Sequence, residues 1–284
     1  MPLVDLPTVL GPARKAGYAV GAFNITGLDM IEPILDVATE LRSPVILSIA
    51  EVHLKYIDLE EACFVARAQA AKAPIPVVLH LDHGLNFDTV MKAIRFGCTA
   101  VMFDGSTLPY GDNVARTREI VQIAHGAGIS VEAELGCVLG GEGTGEAQAA
   151  DPTRFTIPEQ AVEFVAATGI DALAVAFGTV HGFYKGKPQL DLERLRKIRD
   201  LVAVPLVMHG GSGLSDEDFQ AAIGAGISKV NYFTEMSVEA VKEAKRAVTD
   251  GSVTRLPDLL TILKSTVSRC VREKIKVFGS EGKA

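Results

Sequence analysis

Three of the six histidines in the chain share one local pattern. His83, His181 and His209 each follow an apolar run typical of a buried strand, and each is followed at once by glycine. One such histidine is an ordinary polar residue at a strand edge, but three equivalent ones can converge above strands that lie side by side. Three neutral imidazoles with an open fourth position are typical of a catalytic zinc site.

Carboxylates stand at the same kind of strand end. Asp82 directly precedes His83, and an acid beside a metal ligand is placed to act in general acid–base catalysis. Asp104 closes another apolar run, while Glu132 and Glu134 lie two residues apart and so on one face of their strand. Within a parallel barrel both faces are covered, so this pair of acids requires cations, a metal or hydrogen-bond donors to offset its desolvation.

A long glycine-rich segment follows these acids, over residues 136–158. A structureless connection of this length is typical of a mobile flap over a site, and Glu142 is the titratable group that such a flap could deliver. An ordinary surface loop explains the segment equally well when it is judged without its context.

Glycine-rich backbone ahead of a helix predicts an anion site. His209 leads into Gly210 to Gly213 and then into a helical segment, and the next strand ends near Asn231 and opens another helix near Thr234. Free N–H groups at helix N-termini bind phosphate oxygens, and in barrels phosphate sits between the loops after strands seven and eight. The residues expected to line this site are Lys185, Gly211, Ser212 and Thr234.

The elements that must position these residues alternate along the chain at the roughly 30-residue period of βα units. Strands are predicted at 19–23, 45–49, 76–82, 99–103, 129–134, 172–177, 204–208 and 227–231. Helices are predicted at 28–41, 58–72, 87–96, 112–126, 158–167, 190–201, 215–224 and 234–247. Eight of each predict a (β/α)8 TIM barrel, whose strands end on one catalytic rim. A doubly wound open sheet is the alternative, although no GxGxxG motif follows the first strand.

Composition limits the classes of protein. The 284 residues, 48% hydrophobic and 22% charged, predict a single barrel domain over 1–284, with an extra C-terminal helical segment after residue 255 that covers the barrel or packs on a second subunit. A net charge of −7 argues against nucleic-acid and anionic-membrane partners. The four scattered cysteines indicate neither a disulfide scaffold nor a structural zinc cluster. Without a signal-peptide layout or a membrane-length apolar run, the cytoplasm is the expected location.

In combination, these motifs resemble those of the class II, zinc-dependent ketose-bisphosphate aldolases that act on fructose or tagatose 1,6-bisphosphate. The resemblance covers essentially the whole chain and rests on the segments Ala22 to Asn24, Leu81 to Gly84, Glu134 to Gly136, Gly178 to Gly182, His209 to Ser212 and Asn231 to Thr234. It implies reversible cleavage of a phosphorylated sugar into dihydroxyacetone phosphate and glyceraldehyde 3-phosphate. The enzyme is expected to be a homodimer or homotetramer.

The resemblance also implies a role for single residues. The zinc ligands are His83, His181 and His209. Asp82 is the acid and base at the aldehyde oxygen, and Glu142 exchanges the proton at the carbon that becomes nucleophilic. Asp104 and Glu134 are implied as ligands of an alternative or second position, for a divalent or a monovalent cation. Contacts to the dihydroxyacetone-phosphate half are implied for Gly182, Lys185, Gly210, Gly211, Ser212, Asn231, Phe233 and Thr234, with Asn24 near the bond being broken.

One position departs from the pattern of this family. Ala50 stands where many members carry a serine whose hydroxyl would touch the aldehyde half. The choice between the fructose and tagatose substrates therefore stays open. Two rivals also stay open: a different metalloenzyme on the same barrel, such as a phosphoesterase or an epimerase, and a noncatalytic barrel resembling the companion subunits of tagatose-bisphosphate aldolases. The retained Asp82 and histidines favour the aldolase.

Overall fold

The computed structural model describes residues 3–140 and 147–284. Its strands are β1 (Val20–Asn24), β2 (Val45–Ala50), β3 (Val77–Gly84), β4 (Ala100–Phe103), β5 (Ser130–Leu135), β6 (Ala147–Gln148), β7 (Ala172–Val175), β8 (Phe183–Tyr184), β9 (Leu206–Met208) and β10 (Ile227–Tyr232). Eight of them pair in parallel and close into a barrel in the order β1-β10-β9-β7-β5-β4-β3-β2. The remaining two, β6 and β8, form a separate two-stranded parallel sheet.

Ten helices accompany the strands in the described part of the chain. They are α1 (Leu6–Ala16), α2 (Ile31–Glu40), α3 (Leu59–Ala70), α4 (Phe87–Phe96), α5 (Tyr110–Gly126), α6 (Pro158–Thr168), α7 (Leu192–Leu201), α8 (Asp216–Ala225), α9 (Thr234–Thr249) and α10 (Leu256–Phe278). Helices α2 to α9 alternate with the barrel strands, so the (β/α)8 prediction is confirmed. None of the helices in the described ranges has the length and apolar character needed to cross a bilayer.

Helix α1 was not predicted. Its start is marked by Asp5, whose side chain accepts from the Thr8 N–H at 3.0 Å, but Gly11 and Pro12 weaken the helical pattern inside it. Tertiary packing overrides that weakness. The helix buries Leu6, Val9, Leu10 and Ala13 against residues inside the barrel, so it closes the end opposite to the catalytic rim.

The interior of the barrel changes character along its axis. Alternate residues of each strand point inward, and the layer next to α1 is apolar, with Val20, Ile46 and Val78 fully buried. One step toward the carboxyl ends, the layer is polar and equally buried, with Glu132 and Lys229 at 0% exposure. The core therefore ends beneath the rim in a charged floor on which the site is built.

The loop predicted to be structureless at 136–158 is partly ordered by backbone pairing, so that prediction is wrong. Ala147 and Gln148 pair with Phe183 and Tyr184, and Pro152–Arg154 forms a 3-10 turn that Asp151 caps. Glu142 lies outside the described residues.

Helix α10 covers the barrel, which is one of the two alternatives predicted for the C-terminal segment. It packs on α2, α8, α9 and β1, so it covers the outside of the barrel. The segment is also tied down by its end, since Phe278 accepts from the Ala19 N–H at 2.9 Å and Ser280 hydrogen-bonds the Ser43 hydroxyl at 2.8 Å.

Candidate metal and active site

The three histidines predicted from the His-Gly pattern meet on the carboxyl rim of the barrel. His83 lies at the end of β3 and His209 directly follows β9, but His181 lies in the loop six residues after β7, so its predicted place at a strand end is wrong. His83 and His209 have ring centroids 4.4 Å apart, and His181 lies 4.9 Å from His83 and 5.9 Å from His209. One nitrogen from each ring falls within 4.8 Å of the others, and all three side chains are buried. The arrangement is that of three convergent imidazole donors.

Two carboxylates orient these rings. Asp104 Oδ2 lies 2.8 Å from His83 Nδ1, and Glu132 Oε1 lies 2.9 Å from His209 Nε2. When each carboxylate accepts the N–H on its side, the opposite nitrogens, His83 Nε2 and His209 Nδ1, face one another with lone pairs at 2.7 Å. Such a contact is stable only with a shared proton or a cation. The donor set therefore fits a divalent metal ion, held as carboxylate-supported histidines usually hold one.

The protonation of these histidines agrees with a cation site. Burial lowers the pKa of His181 well below its usual value, and the neighbouring His83 and His209 lower it further. The pKa of His209 is also lowered, mainly by burial and by His83, against the opposing effect of Glu132. Because metal ligation needs the neutral imidazole, the site holds these two ligands in the required form at neutral pH.

A second donor group lies on the other side of His83. Donor atoms of His83, Asp104 and Glu134 fall within 4.8 Å of one another. Burial, together with the charge of Asp104, raises the pKa of Glu134 to about 8. Val138 N–H donates to its Oε1 at 2.9 Å, and among the described residues its Oε2 has no hydrogen-bond partner. The two acids expected at an alternative metal position are thus brought together.

Asp82 is held by two amides at the floor of the site. Asn24 Nδ2 donates to one carboxylate oxygen at 3.0 Å and Asn231 Nδ2 to the other at 2.9 Å. Burial alone would raise the pKa of Asp82, but the positive charges of His83 and Lys229 outweigh it and hold the pKa well below its usual range. The side chain is therefore an ionised, fixed carboxylate beside a metal-ligand candidate.

A small cleft, of about 20 Å³, opens beside these residues. Of the residues predicted to contact substrate, those that line it are Asn24, Gly182, Gly210, Gly211, Ser212, Asn231, Phe233 and Thr234. Ser212 is 4% exposed, and its Oγ accepts from the Glu235 N–H at 3.2 Å in the first turn of α9. Lys185 is the exception, because it is exposed and is not among the lining residues.

The glycines after the histidines have a structural reason. At Gly84 a Cβ would lie 2.5 Å from the Met102 carbonyl oxygen. At Gly210, where φ is +70°, a Cβ would collide with the Val180 carbonyl oxygen. At these two points the neighbouring backbone approaches so closely that only glycine fits.

Two buried residues of the site, Lys229 and His80, were missed as site residues from the sequence, and both lie beside Glu132, which the sequence had singled out as an acid in need of cations or donors. Lys229 Nζ donates to Glu132 Oε2 at 2.8 Å, and His80 Nε2 lies 3.6 Å from the same oxygen. Burial would raise the pKa of Glu132, but the charge of Lys229 and the neighbouring histidines outweigh burial and lower this pKa to about 2. The available signal was spacing: His80 lies two residues before Asp82, and Lys229 two residues before Asn231, so each pair shares an inward face.

Comparison with known proteins agrees with this architecture. The family model for class-II fructose-bisphosphate aldolase matches residues 4–283. A Bacillus subtilis (strain 168) protein named probable fructose-bisphosphate aldolase is 39% identical over 290 residues, covering 100% of each chain. The crystal structure of the YdjI aldolase from Escherichia coli K12 has a TM-score of 0.88 at 36% identity and covers 99% of each chain. A Campylobacter jejuni fructose-bisphosphate aldolase shares the fold, with a TM-score of 0.84 at 19% identity over 99% of this chain and 97% of its own.

The closed parallel barrel and the histidine and carboxylate cluster on its rim agree with the family match, and that match identifies the chain as an aldolase, an enzyme of the lyase class. The chain belongs to the class II fructose-bisphosphate aldolase family, as its motifs predicted.

Proposed function

We propose that the chain reversibly cleaves a ketose 1,6-bisphosphate, in the fructose or the tagatose configuration, into dihydroxyacetone phosphate and glyceraldehyde 3-phosphate. The observation that carries the proposal is the setting of Asp82. Its carboxylate is ionised, fixed by Asn24 and Asn231, and one residue from a histidine whose partners converge on a cation position.

Cleavage between the third and fourth carbons of a ketose leaves negative charge beside a carbonyl, and the hydroxyl on the fourth carbon must lose its proton. In the proposed mechanism Asp82 accepts that proton and returns it in the condensation direction. The two amides keep its oxygens aimed, so little reorganisation is needed when the proton moves.

We propose zinc as the ion held by His83, His181 and His209. A bound divalent cation would supply Lewis-acid polarisation of the ketose carbonyl. Asp104 and Glu132 hold the imidazole tautomers that such binding requires. The group formed by Asp104, Glu134 and His83 is proposed as an alternative position for the same ion, or for a second divalent or monovalent cation.

Glu142 is proposed as the acid that exchanges the proton at the third carbon of the bound three-carbon product. It belongs to the connection that follows Gly140, which lines the same rim. Its assignment rests on the family motif.

The phosphate of the dihydroxyacetone half is proposed to bind in the cleft at Gly211, Ser212 and Thr234. Support comes from the N-terminus of α9, which begins at Thr234 in the lining of this cleft, because the first N–H groups of a helix favour an anion. Tyr184 braces the loop, since its hydroxyl donates to the Gly210 carbonyl at 2.7 Å. An acidic protein can hold a dianion in this way with few cations.

The proposal is tested by supplying the zinc-loaded protein with fructose 1,6-bisphosphate, tagatose 1,6-bisphosphate and the unphosphorylated ketoses. Release of dihydroxyacetone phosphate is followed with a coupled reductase. We expect turnover of at least one bisphosphate and loss of turnover in Asp82→Ala. Zinc-loaded protein that cleaves neither bisphosphate, or that hydrolyses or epimerises them instead, would contradict the proposal and favour one of the rival activities.

A further inference from the structure

A second cleft, of about 340 Å³, lies beyond the histidines. It is bounded by His83, Asp104 and His181, and His181 also lines the first cleft. The two clefts therefore meet at His181, one of the proposed metal ligands. Since the first takes the phosphate-bearing ketone half, the second is the space left for the aldehyde half of the substrate.

One side of the second cleft is apolar, and hydrogen bonds fix its two loops. Val52 and Leu85 line it and remain 37% and 49% exposed. Glu51 joins their two loops, because its carboxylate accepts from the Leu85 N–H at 2.5 Å and from the Asn86 N–H at 3.1 Å. This side offers contact area and little polar recognition.

Ala50 offers no polar recognition either. It pairs in register with Asp82 on the neighbouring strand and is fully buried, so no hydroxyl stands at that point of the site. Polar recognition of the aldehyde half must come from another wall of the cleft.

That wall carries Arg154, the one lysine or arginine among the described residues that line the second cleft. Its backbone is fixed, since its carbonyl accepts from the Cys137 N–H at 2.9 Å and its N–H donates to the Asp151 carbonyl at 3.0 Å. Gly136, at φ +80°, allows this approach, because a Cβ there would lie 2.8 Å from the Arg154 carbonyl oxygen. These backbone contacts hold Arg154 in the lining of the second cleft.

The charge of Arg154 is poorly matched inside the protein. The nearest carboxylate oxygen among the described residues, Asp151 Oδ2, lies 4.0 Å from Arg154 Nε, and the two side chains are 52% and 41% exposed. Asp151 is itself engaged by the N–H and hydroxyl of Thr153, at 2.9 and 2.7 Å. Exposed ion pairs at this distance contribute little, so the guanidinium has hydrogen-bond donors to give.

We infer that the second cleft is an anion subsite in which Arg154 binds a negatively charged group on the aldehyde half of the substrate. The inference rests on the proposed aldol reaction and goes further, because it assigns the charge of the second product to one residue. A guanidinium accommodates a phosphate or a carboxylate in the same bidentate manner, so the group is either of these two anions.

The test runs the reaction in the direction of condensation. Metal-loaded protein receives dihydroxyacetone phosphate with one of three aldehydes: glyceraldehyde 3-phosphate, succinic semialdehyde, which carries a carboxylate, or uncharged glyceraldehyde. The ratio of kcat/KM for each charged aldehyde to that for glyceraldehyde is measured in wild type, Arg154→Met and Arg154→Lys. Lys55→Met is the matched control, because Lys55 is a rim cation beside Tyr56 and lines neither cleft.

Wild type should prefer a charged aldehyde, and the aldehyde it prefers identifies the anion as phosphate or carboxylate. Arg154→Met should lower the ratio by roughly 10–100-fold, the loss expected for a hydrogen bond to a charged group. Arg154→Lys should fall in between, and Lys55→Met should match wild type. Melting temperature and metal content confirm that the variants are folded.

Two results would overturn the inference while leaving the aldol reaction intact. One is a wild-type protein that shows no preference for either charged aldehyde. The other is a preference that survives unchanged in Arg154→Met. Failure of wild type to condense any of the three aldehydes is a different outcome, since it removes the proposed reaction and the inference with it.

Discussion

His209 Nε2 lies 2.9 Å from Glu132 Oε1, and both side chains are fully buried. The other oxygen of the same carboxylate accepts from Lys229 Nζ at 2.8 Å. One buried acid thus fixes the ring of a proposed metal ligand while a buried lysine neutralises its charge. The catalytic rim is tied in this way to the charged floor of the barrel.

The Glu132–Lys229 pair should show strong coupling in stability. Glu132→Gln leaves the charge of Lys229 buried without a partner, and Lys229→Met does the same to the charge of Glu132. Each variant should lower the free energy of unfolding by about 3–5 kcal/mol. The double variant removes both charges and should recover most of that loss. Urea unfolding of the metal-free proteins measures the cycle. Additive losses would show that the two charges do not depend on one another.

The same buried polar layer should make the free energy of unfolding fall as the pH becomes acidic. Burial and Lys229 lower the pKa of His80 from 6.5 to about 4. Between pH 6.5 and 4 the imidazole of His80 is protonated in the unfolded chain but neutral in the folded chain. The stability that His80 contributes is therefore complete above pH 6.5 and is lost as the pH falls toward 4. The free energy of unfolding falls by at most about 1.4 kcal/mol per pH unit from this group. Glu132, whose pKa falls from 4.5 to about 2, extends the loss below pH 4.5.

The measurement is the free energy of unfolding of metal-free protein at pH values from 7 to 4. His80→Leu should flatten the slope between pH 6.5 and 4. His125→Gln is the control, because His125 is 43% exposed and pairs with Asp171 at the surface. An unchanged slope in His80→Leu would show that His80 does not carry this effect.

Asp82 should be separable from the metal ligands. Asp82→Ala should lower the rate of ketose cleavage by roughly 10²–10⁴-fold, the usual loss for a general acid–base group, while bound metal stays near wild type. His209→Ala should lose metal as well as rate, and His125→Ala should lose neither. Metal content by atomic absorption, read beside kcat, separates these cases. Loss of metal in Asp82→Ala would make Asp82 a ligand instead of a base.

The phosphate cleft should depend more on Ser212 than on Lys185. Ser212 is 4% exposed in the lining, so Ser212→Ala should raise the KM for the ketose bisphosphate by roughly 10–100-fold. Lys185 is exposed, so Lys185→Ala should have a smaller effect that weakens with salt. The comparison is with the unphosphorylated ketose. Equal losses on both ketoses would assign the two side chains to the fold.

The sequence predicted the barrel because eight apolar strand-like runs alternate with eight helical segments at a regular period. His83, His181 and His209 could be placed together for the same reason, since parallel strands end on one rim. Helix α1 escaped prediction because Gly11 and Pro12 obscure it, and only its burial against the barrel interior stabilises it. Lys185 was predicted to line the phosphate site and does not, while Arg154 lines the second cleft and was not predicted. Both residues lie in loops, whose placement depends on long-range contacts such as the hydrogen bond between Cys137 and Arg154.

The most direct measurement is the metal dependence of carbon–carbon cleavage. Purified protein is stripped with a strong chelator, assayed for release of dihydroxyacetone phosphate from the ketose bisphosphates, reloaded with one equivalent of zinc and assayed again. Stripping should abolish release and zinc should restore it, with no recovery in His209→Ala. Full activity in protein shown to contain no metal would contradict this metal dependence.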